Sequence, residues 1–132
     1  MWSIVCRVYL ADDLPELRLI WRIVLEDDSE IEIVGEAADG RAALEGVEAT
    51  DPDVLVLDLS MPDMSGLEVL KVLRDRESRP RPRIIVASGH LASRMEDLVL
   101  SMGATAYFEK GRDSAGLRAM VIAACGCKEV SA

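Results

Sequence analysis

The chain has 132 residues, half of them hydrophobic and 30% charged, enough for one domain with a real core and too few for two. Its formal net charge of −9 argues against a surface that grips nucleic acid directly, because neutralising phosphates takes lysine and arginine. No run approaches the ~20 consecutive apolar residues of a membrane helix, and Met1-Trp2-Ser3-Ile4 lacks the layout of a secretory signal, so a cytoplasmic protein with no membrane partner is expected.

Apolar runs of strand length alternate with helix-length periodic segments five times. Ile4 to Leu10 reads as a first strand. Leu14, Leu17, Ile20, Trp21, Val24 and Leu25 then recur at helical spacing, with Pro15 in the first turn, where its missing N–H costs nothing. Ile31 to Ala37 is a short second strand, punctuated by Asp39-Gly40 and followed by a small-residue helix around Ala42, Ala43, Leu44, Val47 and Ala49. Val54-Leu55-Val56-Leu57 is a continuous apolar run of the kind buried on both faces of a parallel sheet. A helix through Leu67, Val69, Leu70, Val72 and Leu73 comes next, and Ser78 to Arg83, with Pro80 and Pro82, is expected to be a loop. Ile84 to Ala87 gives a fourth strand, Ala92 to Ser101 a helix, Ala104 to Phe108 a fifth strand and Asp113 to Cys125 a last helix. Five such units predict parallel strands, right-handed crossovers and helices on both faces: a doubly wound α/β domain over residues 1–126, with 127–132 a tail or the start of a linker.

Cys6, Cys125 and Cys127 have neither the spacing of a redox CxxC nor that of a zinc site, and are read as reduced thiols. The acidic run Glu26 to Glu36 and the basic run Arg74 to Arg83 are read as solvated loops and helix ends, with the steering of a partner as the alternative.

The informative polar residues lie where the strands end, the edge at which open α/β sheets bind ligands. The first strand ends in Asp12-Asp13, the third in Asp58 and the fourth in Ser88, and the fifth runs into Lys110. Each alone has an ordinary explanation as a turn former, a helix start or a surface lysine; the set, in this order, does not. Carboxylates ~4 Å apart repel by about 4 kcal/mol per pair at an effective dielectric near 20, which a hard divalent cation such as Mg2+ relieves. With a carboxylate nucleophile, a lysine and a hydroxyl added, the set suits in-line phosphoryl transfer.

Ala11-Asp12-Asp13, the stretch Val54 to Gly66 (VLVLDLSMPDMSG), Ser88-Gly89, Gly103-Ala104 and Tyr107-Phe108-Glu109-Lys110 together resemble the receiver domains of two-component response regulators, from about Ser3 to Cys125. The resemblance implies a flavodoxin-like (β/α)5 fold with strand order 2-1-3-4-5. It also implies that Asp58 accepts a phosphoryl group from a sensor histidine kinase or a small phosphodonor. Asp12, Asp13, Asp58 and the backbone carbonyl of Ser60 would hold Mg2+, Lys110 and Ser88 would contact the phosphoryl group, and Ser88 and Tyr107 would form the switch. Such a domain is a phosphoacceptor that assists its own chemistry rather than an enzyme.

The chain's style, with Glu32-Ile33-Val34-Gly35-Glu36-Ala37 ahead of Asp39-Gly40, is similar to receivers that precede a helix-turn-helix domain. DNA would then be bound only through an output domain outside this sequence, and phosphorylation-linked homodimers are a further expectation of the family. A stand-alone phosphorelay receiver and a phosphate-independent receiver are the alternatives. One departure is Gly111 after Lys110, where many members carry proline, which predicts a trans bond and a freer loop. A flavin-type carrier fits poorly because Asp12 and Asp13 would repel a phosphate in the first loop. A haloacid-dehalogenase-type phosphatase fits poorly because Ser60 stands where its second aspartate belongs.

Overall fold

The computed structural model describes residues 5–76, 82–89 and 93–126. In chain order the elements are β1 (Cys6–Ala11), α1 (Pro15–Glu26), β2 (Ile31–Ala37), α2 (Gly40–Thr50), β3 (Val54–Asp58), α3 (Gly66–Asp75), β4 (Arg83–Ser88), α4 (Ser93–Ser101), β5 (Ala106–Glu109) and α5 (Ser114–Gly126). The strands form one sheet in the order β2-β1-β3-β4-β5, and every neighbouring pair is parallel. This is the predicted doubly wound, flavodoxin-like fold with strand order 2-1-3-4-5.

Strand alternation divides the core in two. Val8 and Leu10 of β1, Val54 and Val56 of β3, and Ile85 and Ala87 of β4 pack with Trp21 and Leu25 of α1 and with Leu117 and Val121 of α5. Their chain neighbours, among them Leu55, Leu57, Ile84 and Val86, point the other way, toward Ala43 and Val47 of α2, Val69, Leu70 and Leu73 of α3, and Val99 of α4. The period of two thus gives each central strand two apolar faces, which is why Val54 to Leu57 carries no polar residue.

Local chemistry sets the helix starts. α1 opens on Pro15, α2 is capped by the Asp39 carboxylate accepting from the Ala42 N–H at 2.8 Å, and α3 by a Ser65/Glu68 capping box. Arg83 corrects the expected loop of Ser78 to Arg83: it belongs to β4, because Pro82 removes only its own donor and the Arg83 N–H reaches the Asp53 carbonyl at 3.0 Å. Residues 78–81 of that loop and the tail at 127–132 lie outside the described residues.

The cysteine reading is corrected as well. Cys6 and Cys125 form a disulfide, with their Cα atoms 5.9 Å apart, inside the span that such bridges require. The helices run back against the strands, so the beginning of β1 and the end of α5 meet at one sheet edge despite a separation of 119 residues. Cys127 lies outside the described residues.

Gly66 is required by close approach. A Cβ on Gly66 would stand 2.1 Å from the Asp58 carbonyl oxygen and 2.7 Å from Leu59 Cα, while the Gly66 N–H donates to the Leu59 carbonyl at 3.0 Å. The first turn of α3 is therefore seated directly on the end of β3. Gly66→Ala should cost about 1–3 kcal/mol, as overpacking against backbone does, and denaturant unfolding that matches wild type would show that the loop yields freely.

At the edge strand, Glu36 accepts from Arg18 at 2.8 Å and from Arg22. Burial alone would raise its pKa, but the bonds from Arg22 and Arg18 outweigh burial and hold the carboxyl below its ordinary value of 4.5. A lowered folded-state pKa means that this contribution is complete above the unfolded value and fades as the pH falls through the lowered one. For partly exposed pairs, Glu36→Gln should cost a few tenths to about 1 kcal/mol near neutral pH. The gap should close as the pH falls through the lowered pKa; a gap of constant size on acidification would show that ionisation is not its source.

Candidate functional site

All parallel strands end at the same rim, and the predicted polar residues meet there. Asp12 follows β1 directly and is fully buried. Its N–H donates to the Ala37 carbonyl at the end of β2 (3.0 Å), and its Oδ1 accepts from the Leu14 N–H (2.9 Å). Arg18 Nη1 donates to its carbonyl oxygen at 2.5 Å. Asp13, next in the chain, is exposed. Asp58 is the last residue of β3 and is 2% exposed, with the backbone locked beneath it by Gly66.

Lys110 enters from beyond β5. Its N–H donates to the Ser88 carbonyl at 2.8 Å, extending the β4–β5 ladder by one bond. Its Nζ donates to Asp58 Oδ1 at 2.9 Å, lies 2.6 Å from Asp12 Oδ2, and stands 6.0 Å from the centre of the Trp21 ring. Gly111 adopts φ +96, a left-handed conformation open to glycine at little cost, and no peptide among the described residues is cis. The chain thus turns away after Lys110 without a proline.

Burial pushes the Asp58 carboxyl up, the Lys110 hydrogen bond pulls it down and the nearby Asp12 charge pushes it up again, with a net rise. For Lys110, burial pulls downward, but its bonds to Asp12 and Asp58 prevail and the ammonium is favoured. Oxygens of Asp12, Asp13 and Asp58 lie within 4.8 Å of one another. Three carboxylates with one ammonium leave a formal −2 at the rim. Asp58 Oδ2 is buried and accepts no hydrogen bond, and the equally buried Asp12 Oδ2 has the Lys110 ammonium as its one partner. Two such buried carboxylate oxygens beside a third, exposed carboxylate fit a hard divalent cation that keeps part of its water shell.

The other predicted residues flank this centre. Ser60 follows Asp58 by two positions, and its backbone N–H makes the smallest of the contributions that pull the Asp58 carboxyl down. Ser88 closes β4 and is buried, one register step beyond the Asp58–Ala87 pair on the neighbouring strand. Tyr107 faces Val86 across the β4–β5 ladder, with its ring buried in the cluster that includes Val99. Sequence reasoning did not single out Arg18 or the seating of Gly66, and its reading of Glu36 as part of a solvated acidic run is corrected: Glu36 is a partly buried residue of β2 paired with Arg18 and Arg22. The i,i+4 spacing of Arg18 and Arg22 was visible, but their shared partner on β2 comes near only through the sheet.

Residues 8–122 match the response regulator receiver domain family. The NarL nitrate/nitrite response regulator of Escherichia coli (strain K12) is 37% identical over 122 residues, covering 90% of this chain and 55% of that protein. A protein-glutamate methylesterase/protein-glutamine glutaminase of Agrobacterium fabrum is 41% identical over 87 residues, 65% of this chain and 24% of that one. The chain therefore spans about a quarter to about half the length of these curated relatives. Among solved structures, the signal receiver domain of a NarL response regulator from Mycobacterium tuberculosis superposes with a TM-score of 0.86 at 30% identity, covering 93% of this chain and 98% of that one. A LuxR-family two-component response regulator from Aurantimonas gives 0.85 at 28%, covering 96% and 89%. With the predicted rim assembled on the predicted sheet, the chain belongs to the receiver domain family of two-component response regulators.

Proposed function

We propose that residues 1–126 form a phosphorylation-dependent switch in which Asp58 accepts a phosphoryl group from a sensor histidine kinase or a small phosphodonor. The observation that carries this is the Lys110 bridge between two buried aspartates, with Asp58 keeping one oxygen that accepts no hydrogen bond. Asp12, Asp13, Asp58 and the Ser60 carbonyl would hold Mg2+. When bound, that ion supplies positive charge against the carboxylates and the incoming phosphoryl oxygens.

An oxygen of Asp58 forms the new P–O bond as the bond from phosphorus to the donor breaks, and the leaving group departs on the side opposite the carboxylate. Burial favours this step, because the Asp58 carboxylate is poorly solvated and sheds little water on attack. Lys110 is held at the rim by its own backbone bond to Ser88, so its ammonium can follow charge from the carboxylate to the phosphoryl oxygens. Ser88 would then hydrogen-bond one of those oxygens, and Tyr107 would report the shift to the face formed by α4, β5 and α5.

No helix among the described residues is long and apolar enough to cross a membrane, in keeping with a cytoplasmic setting. The extent of the NarL match, most of this chain but little more than half of that protein, supports an attached output segment outside this sequence. We assign it a DNA-binding role, with homodimers favoured on phosphorylation; the net charge of −9 leaves this domain itself unsuited to DNA.

Incubation with acetyl phosphate and Mg2+ should add the mass of one phosphoryl group, about 80 Da, in intact-mass spectra. Asp58→Asn should abolish the adduct, and omission of Mg2+ should prevent it. An adduct of undiminished yield in Asp58→Asn would place the chemistry elsewhere. Lys110→Ala should slow adduct formation by about 100-fold or more, the scale of losing one donor to developing charge; a rate within about threefold of wild type would remove Lys110 from the reaction.

A further inference from the structure

We infer that Arg18, a residue of α1 outside the carboxylate set, is the positioning residue that holds the Asp12–Asp13 turn in its cation-binding shape; the inference rests on reading the rim as a Mg2+ site. Asp12 has four polar atoms with which to fix its place. Its N–H is spent on Ala37, its Oδ1 on the Leu14 N–H and its carbonyl oxygen on Arg18, which leaves Oδ2 alone aimed at Lys110 and the site. The first two bonds fix the strand end and the carboxylate rotation. The third acts on the peptide joining Asp12 to Asp13, and so sets where the exposed Asp13 carboxylate stands relative to the buried ones.

Arg18 suits this work because its fork is anchored at both tips. Nη1 donates to the Asp12 carbonyl at 2.5 Å while Nε donates to Glu36 Oε1 at 2.8 Å, and the side chain is only 16% exposed. Arg22 steadies Glu36 from the next turn of the helix through its own bonds, and makes none with Asp12. The chain of contacts runs from β2 through Glu36 and Arg18 to the turn, so the edge strand braces the rim. A planar guanidinium with fixed donors does this with little loss of side-chain freedom, which a lysine cannot match.

Charge and geometry make opposite predictions for Arg18, and that separates them. A positive side chain near a cation site disfavours cation binding, so removing it for charge reasons alone would tighten Mg2+ binding. Removing it as a brace lets the Asp12–Asp13 peptide rotate and weakens binding. Outer partners of metal ligands commonly carry about 10- to 100-fold in affinity.

The test is calorimetric Mg2+ titration of the unphosphorylated chain as wild type, Arg18→Met, Arg18→Lys and Arg22→Met, each checked for folding by thermal unfolding. Arg18→Met should weaken Mg2+ binding by about tenfold or more, and Arg18→Lys should fall between it and wild type. Arg22→Met removes a positive charge from the same cluster without touching Asp12, and should bind Mg2+ as tightly as wild type or more tightly. Arg18→Met affinity equal to or above wild type would overturn the inference while leaving the Mg2+ site intact. An equal loss in Arg22→Met would overturn it too, by tracing the effect to the salt cluster as a whole. Failure of wild type to bind Mg2+ would instead remove the site reading and this inference with it. Where Arg18→Met does not fold, Arg18→Lys carries the comparison, and affinity identical to wild type would overturn the assignment.

Discussion

Two aspartates buried side by side and sharing a single lysine are the constraint around which this molecule is arranged. Asp12 and Asp58 lie almost wholly out of water, and one ammonium balances one charge of the pair. Removing a lone carboxylate from water is costly, so such a pair persists only where the surrounding structure fixes its members rigidly. Each is fixed in a different way. Asp12 is held by hydrogen bonds from three directions, whereas Asp58 is held by its strand and by the glycine packed against its carbonyl. What remains unsatisfied is one oxygen of Asp58, and the lone ammonium cannot balance the carboxylates gathered around it. The stability cost of the rim and its chemical usefulness are the same fact.

A parallel sheet is well suited to carry such a cost. Every strand ends on one side, so residues far apart in sequence arrive at one rim without long excursions of the chain. The apolar double layer beneath them, with Trp21 on one face and Leu70 on the other, is dry and closely packed, and it transmits position to the rim. The bridge from Cys6 to Cys125 ties the opposite edge, joining the first strand to the last helix.

Much of this was legible in the sequence, for a physical reason. The alternation of apolar runs and helical periods is dictated by burial on two faces, so Val54 to Leu57 announced a central strand and Asp58 announced its end. The motif stretch around Asp58 then gave the family and the roles that the resemblance implies. Features that depend on two distant segments meeting were not legible. The spacing of Cys6 and Cys125 says nothing of their adjacency until α5 is known to run back along β1, and Arg18 finds Glu36 only because β1 and β2 are neighbours. The entry to β4 was misplaced by one residue because the prolines, which rule out helix there, were read as a loop through Arg83, whereas Pro82 forbids only its own N–H. Gly66 was legible only as the end of the motif stretch, and it is the carbonyl oxygen beside it that shows why no larger residue fits.

The hydrogen bond from the Lys110 N–H to the Ser88 carbonyl has a mechanical meaning beyond holding one side chain at the right height. It makes the last residue of β4 and the first residue beyond β5 a single lever, so neither backbone is displaced without loading the other. With Gly111 in a left-handed turn just past it, the lever has a stiff arm on the sheet side and a compliant joint on the solvent side. A displacement of either strand end would therefore load the other through this bond, and the left-handed turn at Gly111 is the place where the chain could yield without disturbing the packed layers below.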